Sequence, residues 1–289
     1  APAALAARAA PPPAPRIGIR SQSTPGLTDT GFEPRHLHTL RAAGFDLVEL
    51  NFNKADVFLD PTNHANAAAM RAEAERLGVT LVAHAPDQLP ITLADRDAAL
   101  RNADVLADLF RGMAAFGIRV INLHPRGYDT TAPDRVDEQM QSLHACLGRL
   151  ADVCDACAVD LALETLTPGN LSASMDYLIE AVDRLDHPRV GICLDTNHLN
   201  LSEDICDATR RAGRRLGEFH LNDNHLIWEE HLLPYAGLID WPAFAAAVAD
   251  IDYAGLMIME PSWRKGEDPH EMLHEAKQVA ERLLSDIQR

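Results

Sequence analysis

Eight short apolar runs, each followed by a helical pattern, constrain this 289-residue chain more than any other feature of its sequence. The runs are Arg16–Arg20, Phe45–Asn51, Val79–His84, Arg119–His124, Val159–Glu164, Val190–Asp195, Glu218–Leu221 and Leu256–Glu260. Each is nearly continuous in Val, Ile or Leu, the texture of a strand buried on both faces of a parallel sheet. Between them, apolar residues recur at helical spacing. Ala99, Ala103, Leu106, Phe110 and Met113 do so in one segment, and Met272, Ala276, Val279, Leu283 and Ile287 in the last. Pro34 opens the first helix and Gly44 closes it, while Gly78 and Gly117 end helices just before strands. The alternation predicts an α/β fold made of a single (β/α)8 TIM barrel over residues 16–289. A doubly wound sheet is the alternative, but no G-x-G-x-x-G follows any strand. Ala1–Pro15 is almost only Ala and Pro and predicts a flexible tail. An export signal is a minor alternative for this tail, which lacks a charged start and a long apolar stretch.

Composition then excludes several function classes. Hydrophobic residues make up 47% and charged residues 24%, a globular balance. Lys plus Arg number 26 against 43 Asp plus Glu, a net charge of −17. Nucleic-acid affinity rests largely on Lys and Arg releasing counterions from phosphates, so no nucleic-acid partner is expected. The longest Arg cluster, Arg210, Arg211, Arg214 and Arg215, reads as one solvated helix end. No apolar run approaches the ~18 residues of a membrane helix. Five cysteines do not make a disulfide framework, and a reducing, cytoplasmic compartment is the simpler expectation. Cys154 and Cys157 form a C-x-x-C inside a helical run, where buried thiols are expected rather than a redox or zinc site.

In a barrel of this kind the chemistry sits at the C-terminal ends of the strands. From the second strand onward those ends are Asn51, His84, His124, Glu164, Asp195, His220 and Glu260. Any one of them alone is ordinarily a satisfied polar cap. Six ionisable groups converging on one mouth point to a site. Glu164, Asp195, His220 and Glu260 offer an oxygen-rich shell with one imidazole, suited to Mn2+, Mg2+ or Co2+, with Zn2+ also compatible. Carboxylates packed this closely repel, so the cluster itself argues for a bound cation. Cys193 shares Asp195's face by strand alternation, where filling a deeper layer of the barrel is its expected role.

The chain resembles the xylose isomerase-like barrel superfamily, in particular the sugar phosphate isomerase/epimerase group that includes D-tagatose 3-epimerase. The resemblance runs from about Ile17 to the C-terminal helix. It rests on LVAHAP (Leu81–Pro86), INLHPRG (Ile121–Gly127), LALETLTPG (Leu161–Gly169), GICLDTNHLNL (Gly191–Leu201), FHLNDN (Phe219–Asn224) and MEPSWRKG (Met259–Gly266). It implies a metal held by Glu164, Asp195, His220 and Glu260, with Glu164 and Glu260 also exchanging the substrate proton. The implied reaction is sugar epimerisation or aldose–ketose isomerisation through a metal-stabilised ene-diolate. Mn2+ is the first expectation, the partner is a small sugar, and relatives suggest a homo-oligomer. His198 matches a substrate contact, and His84, His124, His231, Trp263 and Arg264 are assigned to the substrate side. Two positions depart from the ketose epimerases: Leu226 stands where they carry an Arg, and Asn170 where they carry a Glu. The particular sugar therefore does not follow.

Two other readings remain. Relatives dehydrate inososes or eliminate from 3-keto-glycosides with the same ligands, since an ene-diolate that expels a β-leaving group makes a lyase. Endonuclease IV-type apurinic/apyrimidinic nucleases bind three zinc ions at matching positions, including His84, His124, His198 and His231. Glu229 stands at one of their Asp positions, which makes Glu229 and His231 candidates for an extra metal. Against the nuclease stand the −17 charge, the short His220-to-His231 spacing and the MEPSWRKG ending. Trp228 and Trp263 are expected in loops walling the pocket, and Trp241 is expected to staple a helix. Asn51, Asn53 and Lys54 read equally as hydroxyl contacts or a solvated loop. His36, His38, His144, His187, His270 and His274 are expected at the surface.

Overall fold

The structure, a computed structural model, describes residues 14–21, 31–53, 56–128, 133–262 and 268–289. Most of the expected tail, together with Lys54, Trp263 and Arg264, lies outside the described residues. Eight parallel strands close into one barrel in sequence order. They are β1 (Arg16–Arg20), β2 (Leu47–Asn51), β3 (Thr80–His84), β4 (Ile118–Leu123), β5 (Asp160–Glu164), β6 (Val190–Asp195), β7 (Leu216–Leu221) and β8 (Leu256–Met259). β1 pairs with β8 from Arg16↔Leu256 to Ile19↔Met259, which seals the barrel.

Helices cover the outside: α1 (His36–Ala42), α2 (His64–Leu77), α3 (Arg96–Ala114), α4 (Val136–Cys157), α5 (Met175–Leu185), the one-turn α6 (Thr196–Leu199), α7 (Ile205–Ala212), α8 (Trp241–Asp250) and α9 (Pro269–Ile287). Their starts follow local chemistry. Asn63, Asp95, Asp204, Asp240 and Asp268 each accept a backbone N–H of the first turn. The α3 stripe Ala99, Ala103, Leu106, Phe110 and Met113 is fully buried against the strands. At ~1.5–3 kcal/mol per large apolar side chain, such stripes are what hold the outer layer to the barrel.

Side chains inside the barrel lie in layers. Leu47, Val82, Val120, Ala162, Cys193 and Ile258 pack together as a separate apolar cluster, which places Cys193 in the barrel filling. Two residues further along, the pleat returns the same face, and there stand Glu49, His84, Asn122, Glu164, Asp195 and Glu260, all buried. On β7 the outward Phe219 packs on Phe244 of α8, so Glu218 and His220 point inward. Gly18 of β1 leaves space for Leu47: an added Cβ would lie 2.3 Å from the Leu47 carbonyl oxygen and 2.5 Å from its Cγ.

One surface expectation changes, while the Arg cluster stays solvated although it is ion-paired. His36 is buried, its Nδ1 accepting the Glu33 backbone N–H at 2.9 Å; as the first residue of a short helix it is drawn inward by Phe32, whose ring lies 5.5 Å away. The Arg cluster is tied down by acids: Arg210 to Asp250, Arg211 to Asp207, Asp176 and Glu203, and Arg215 to Asp183.

Glu218 is the least expected interior residue. Among the described residues, neither of its carboxylate oxygens has a hydrogen-bond partner. Burial, reinforced by Glu49 and Glu164 and only partly opposed by His220, pushes its carboxyl up to about 8. The folded chain therefore keeps a proton that the unfolded chain releases near its ordinary value of 4.5. Stability linked to this group is present below that value and is lost as pH rises toward 8.

Substituting Glu218→Gln in metal-free protein should widen the stability gap over wild type between pH 5 and pH 8, by on the order of 2–5 kcal/mol. Urea midpoints at the two pH values check this, and a gap that stays constant refutes it. Gly18→Ala should cost about 1–3 kcal/mol through overpacking against Leu47. Gly148→Ala, in α4 with nothing within 4 Å of the added Cβ, should gain up to ~1 kcal/mol.

Candidate metal centre

Strand ends deliver the site residues to one place because every strand runs the same way. Glu164 ends β5, Asp195 ends β6, His84 ends β3, and His220 lies one residue inside the end of β7. His124 and Glu260 stand one residue beyond β4 and β8. None of these six is more than 8% exposed.

The four expected ligands meet around one imidazole nitrogen. His220 Nδ1 lies 3.2 Å from Glu164 Oε2, 3.3 Å from Glu260 Oε1 and 3.9 Å from Asp195 Oδ2. Asp195 divides its oxygens: Oδ1 accepts the Asn197 and His198 backbone N–H groups and caps α6, while Oδ2 faces His220. Both oxygens of Glu164 and of Glu260, and both nitrogens of His220, are buried without an aligned hydrogen-bond partner. Desolvated acids left in this state cost several kcal/mol unless a counter-charge is present. The donor set therefore fits a divalent cation.

A second group adjoins the first. His84 Nε2 and His124 Nε2 are 3.2 Å apart and lie 3.6 and 3.1 Å from Glu164 Oε2. Their other nitrogens face acceptors: His84 Nδ1 the Ala85 carbonyl at 2.8 Å, His124 Nδ1 the Asp87 carboxylate at 2.7 Å. With hydrogens held on Nδ1, two lone pairs face each other across 3.2 Å, an arrangement that calls for a proton or a metal between them. A third group forms where His198 donates from Nδ1 to the Thr165 carbonyl at 2.9 Å and sets Nε2 3.0 Å from Glu229 Oε2. The His231 ring lies 5.9 Å from that of His198. Groups of three donors with ligand atoms within 4.8 Å of one another thus include His124–Glu164–His198, Glu164–Cys193–His220, Glu49–His220–Glu260 and His198–Glu229–His231.

The loop that carries Glu229 and His231 is anchored by Asp223. Its carboxylate accepts from the backbone N–H groups of Gly237 and Ile239 and from Trp241 Nε1. Trp241 is indeed a buried staple at the start of α8, whereas Trp228 is 60% exposed on the loop. Leu226 is also exposed, and Asn170 turns its amide to the Thr167 carbonyl of its own loop. Asn53 is tied to Asp87, accepting its backbone N–H at 3.0 Å.

Charge is distributed unevenly here. Burial would raise Glu164, but His124 and His220 outweigh it and hold the carboxyl well below the usual range. Burial, with Glu49 and Glu164, raises Glu260 well above the usual carboxylate range against the pull of Arg20 and His220. Burial, helped by the charge of His124, pushes His84 down to about 4. Burial lowers His198 too, yet Asp195, Glu164 and Glu229 hold it well above its ordinary value.

Sequence reasoning missed Arg20, Glu49 and Asp87. Arg20 Nε donates to Glu49 Oε1 at 3.0 Å, and its guanidinium also contacts Glu260. Glu49 Oε2 lies 3.1 Å from His220 Nε2. Arg20 does end its strand, and Glu49 is two residues before the inward strand end Asn51, so strand alternation carried the signal for both.

Comparison with known proteins follows this geometry. A D-psicose 3-epimerase from Enterocloster bolteae is 27% identical over 242 residues, spanning 80% of this chain and 77% of its own. A crystal structure of a D-tagatose 3-epimerase-like protein superposes with a TM-score of 0.78 at 19% identity, covering 94% of this chain and 98% of the other. A probable endonuclease 4 from Mesomycoplasma hyopneumoniae is 27% identical over 156 residues, only 50% of this chain and 54% of its own. The model of the xylose isomerase-like TIM barrel matches residues 37–283, and the protein belongs to that family.

Proposed function

We propose that the protein is a divalent-metal-dependent sugar epimerase or isomerase acting on a ketose or keto-sugar, with Glu164 and Glu260 as its proton-transfer groups. The observation that carries this reading is the pair of buried carboxylates from β5 and the end of β8, both within 3.3 Å of His220 Nδ1 and without an aligned hydrogen bond among the described residues. The likeness to a ketose 3-epimerase over four-fifths of the chain supports it.

Glu164, Asp195, His220 and Glu260 would hold the ion, with Mn2+ as first choice ahead of Mg2+, Co2+ or Zn2+. A bound divalent ion supplies Lewis-acid polarisation of a ketone and its neighbouring hydroxyl, which acidifies the adjoining C–H. Glu164, kept ionised by His124 and His220, is the base that takes this proton from one face. Glu260 returns a proton to the opposite face, which inverts the centre; return to the adjacent carbon isomerises the sugar instead. His84, His124, His198 and His231 line the substrate side of the centre, and Trp263 and Arg264 are assigned there from sequence alone. A substrate with a β-leaving group would make the same residues a lyase. Five free thiols fit a reducing cytoplasm, and among the described residues no helix is long and apolar enough to cross a membrane.

A second reading is favoured by one observation, the facing Nε2 atoms of His84 and His124. With Glu229 and His231 near His198, these groups would allow a polynuclear centre and metal-assisted phosphodiester hydrolysis. The net charge of −17 opposes it, because a phosphate-tracking surface needs cations.

Glu164→Gln should lower solvent-deuterium exchange into a ketose by at least ~10²-fold while the far-ultraviolet circular dichroism stays unchanged. Exchange at the wild-type rate would remove Glu164 from the reaction. Elemental analysis should find about one Mn2+, Mg2+ or Co2+ per chain. About three zinc per chain, with cleavage of abasic-site DNA, would instead establish the nuclease reading.

A further inference from the structure

The two nitrogens of His220 face different surroundings. Nδ1 looks toward Glu164, Asp195 and Glu260, while Nε2 looks down into the barrel at Glu49 Oε2, 3.1 Å away. The contact is one of proximity and charge: among the described residues neither Nε2 nor Glu49 Oε2 has an aligned hydrogen-bond partner, and both residues are fully buried. The other Glu49 oxygen takes Arg20 Nε at 3.0 Å, and the far side of the same guanidinium contacts Glu260 Oε1.

Strand register makes this arrangement. Arg20 pairs with Glu49 across β1 and β2, and Ile19 pairs with Met259 across β1 and β8. The last residue of β1 is thereby set between Glu49 on one side and Glu260 on the other. A planar guanidinium with donors on several edges can serve two carboxylates at once, which an ammonium does less well.

We propose that Glu49 and Arg20 are positioning residues for the metal centre. Glu49 holds the His220 hydrogen on Nε2, so that the Nδ1 lone pair is offered to the ion. Arg20 fixes Glu49 and Glu260 in place and offsets their mutual repulsion. An imidazole can ligate only through a nitrogen that carries no hydrogen, and a carboxylate behind it sets both the tautomer and the ring orientation. This inference rests on the reading that Glu164, Asp195, His220 and Glu260 bind a divalent ion.

The test uses the full chain stripped of metal and titrated calorimetrically with Mn2+ or Zn2+. Glu49→Gln keeps the shape but loses the charge, and should weaken binding by about 10–100-fold with the metal-free urea midpoint little changed. Nitrogen-15 spectra of the Zn2+-loaded, histidine-labelled protein should show His220 protonated at Nε2 in wild type, with that signal shifted or split in the variant. Arg20→Lys retains the charge but not the bridge, and should weaken binding by about tenfold. It carries the test alone if Glu49→Gln fails to fold. Wild-type affinity in the folded variants, with an unchanged His220 signal, would overturn the inference and leave the metal centre intact. Failure of wild type to bind either ion would overturn the metal reading and this inference with it.

Discussion

Acids and imidazoles held within a few ångströms of one another, in a layer closed to bulk water, set the terms for the rest of this structure. At such distances, and with water largely excluded, like charges cannot all persist without a compensating partner. The barrel meets this constraint in three ways: histidines interleave the carboxylates, Arg20 is placed between two acids, and Glu218 is kept protonated. Even so, among the described residues no donor is aligned for a hydrogen bond to the oxygens of Glu164 and Glu260, although imidazoles and Arg20 lie beside them.

The fold was legible because parallel strands covered on both faces must be apolar nearly throughout, and the intervening helices keep their own period. The polar ends were legible for the same reason, since an ionisable residue stands out against such a run. Glu164, Asp195, His220 and Glu260 came together as the strand ends implied. Glu49 and Glu218 were hidden because each lies inside a run, two residues before another inward position, where the eye reads filling rather than chemistry. Asp87 could not be placed, because its contact with His124 depends on how the loop after β3 turns. His36 misled because a histidine in a short helix looks solvated until its neighbours are known.

The acidic balance of the chain has two separate sources. Part of it belongs to the centre, where Glu49, Glu164, Asp195 and Glu260 are buried. The rest is outer surface, where acids such as Asp176, Asp183 and Asp250 hold the arginines of α7 and its flank in ion pairs. Exposed pairs of this sort add little to stability, because water screens them. What they do achieve is to occupy Arg210, Arg211 and Arg215 with acids of the chain itself.

The seam between β1 and β8 joins segments more than two hundred residues apart in sequence. Arg20 meets Glu260 only across that seam. A nascent chain that has made every strand but the last has not yet brought Glu260 to Glu164, Asp195 and His220. On the proposed metal reading, an ion would meet its full ligand set only once β8 has joined, and its binding would favour the folded barrel over partly folded chains.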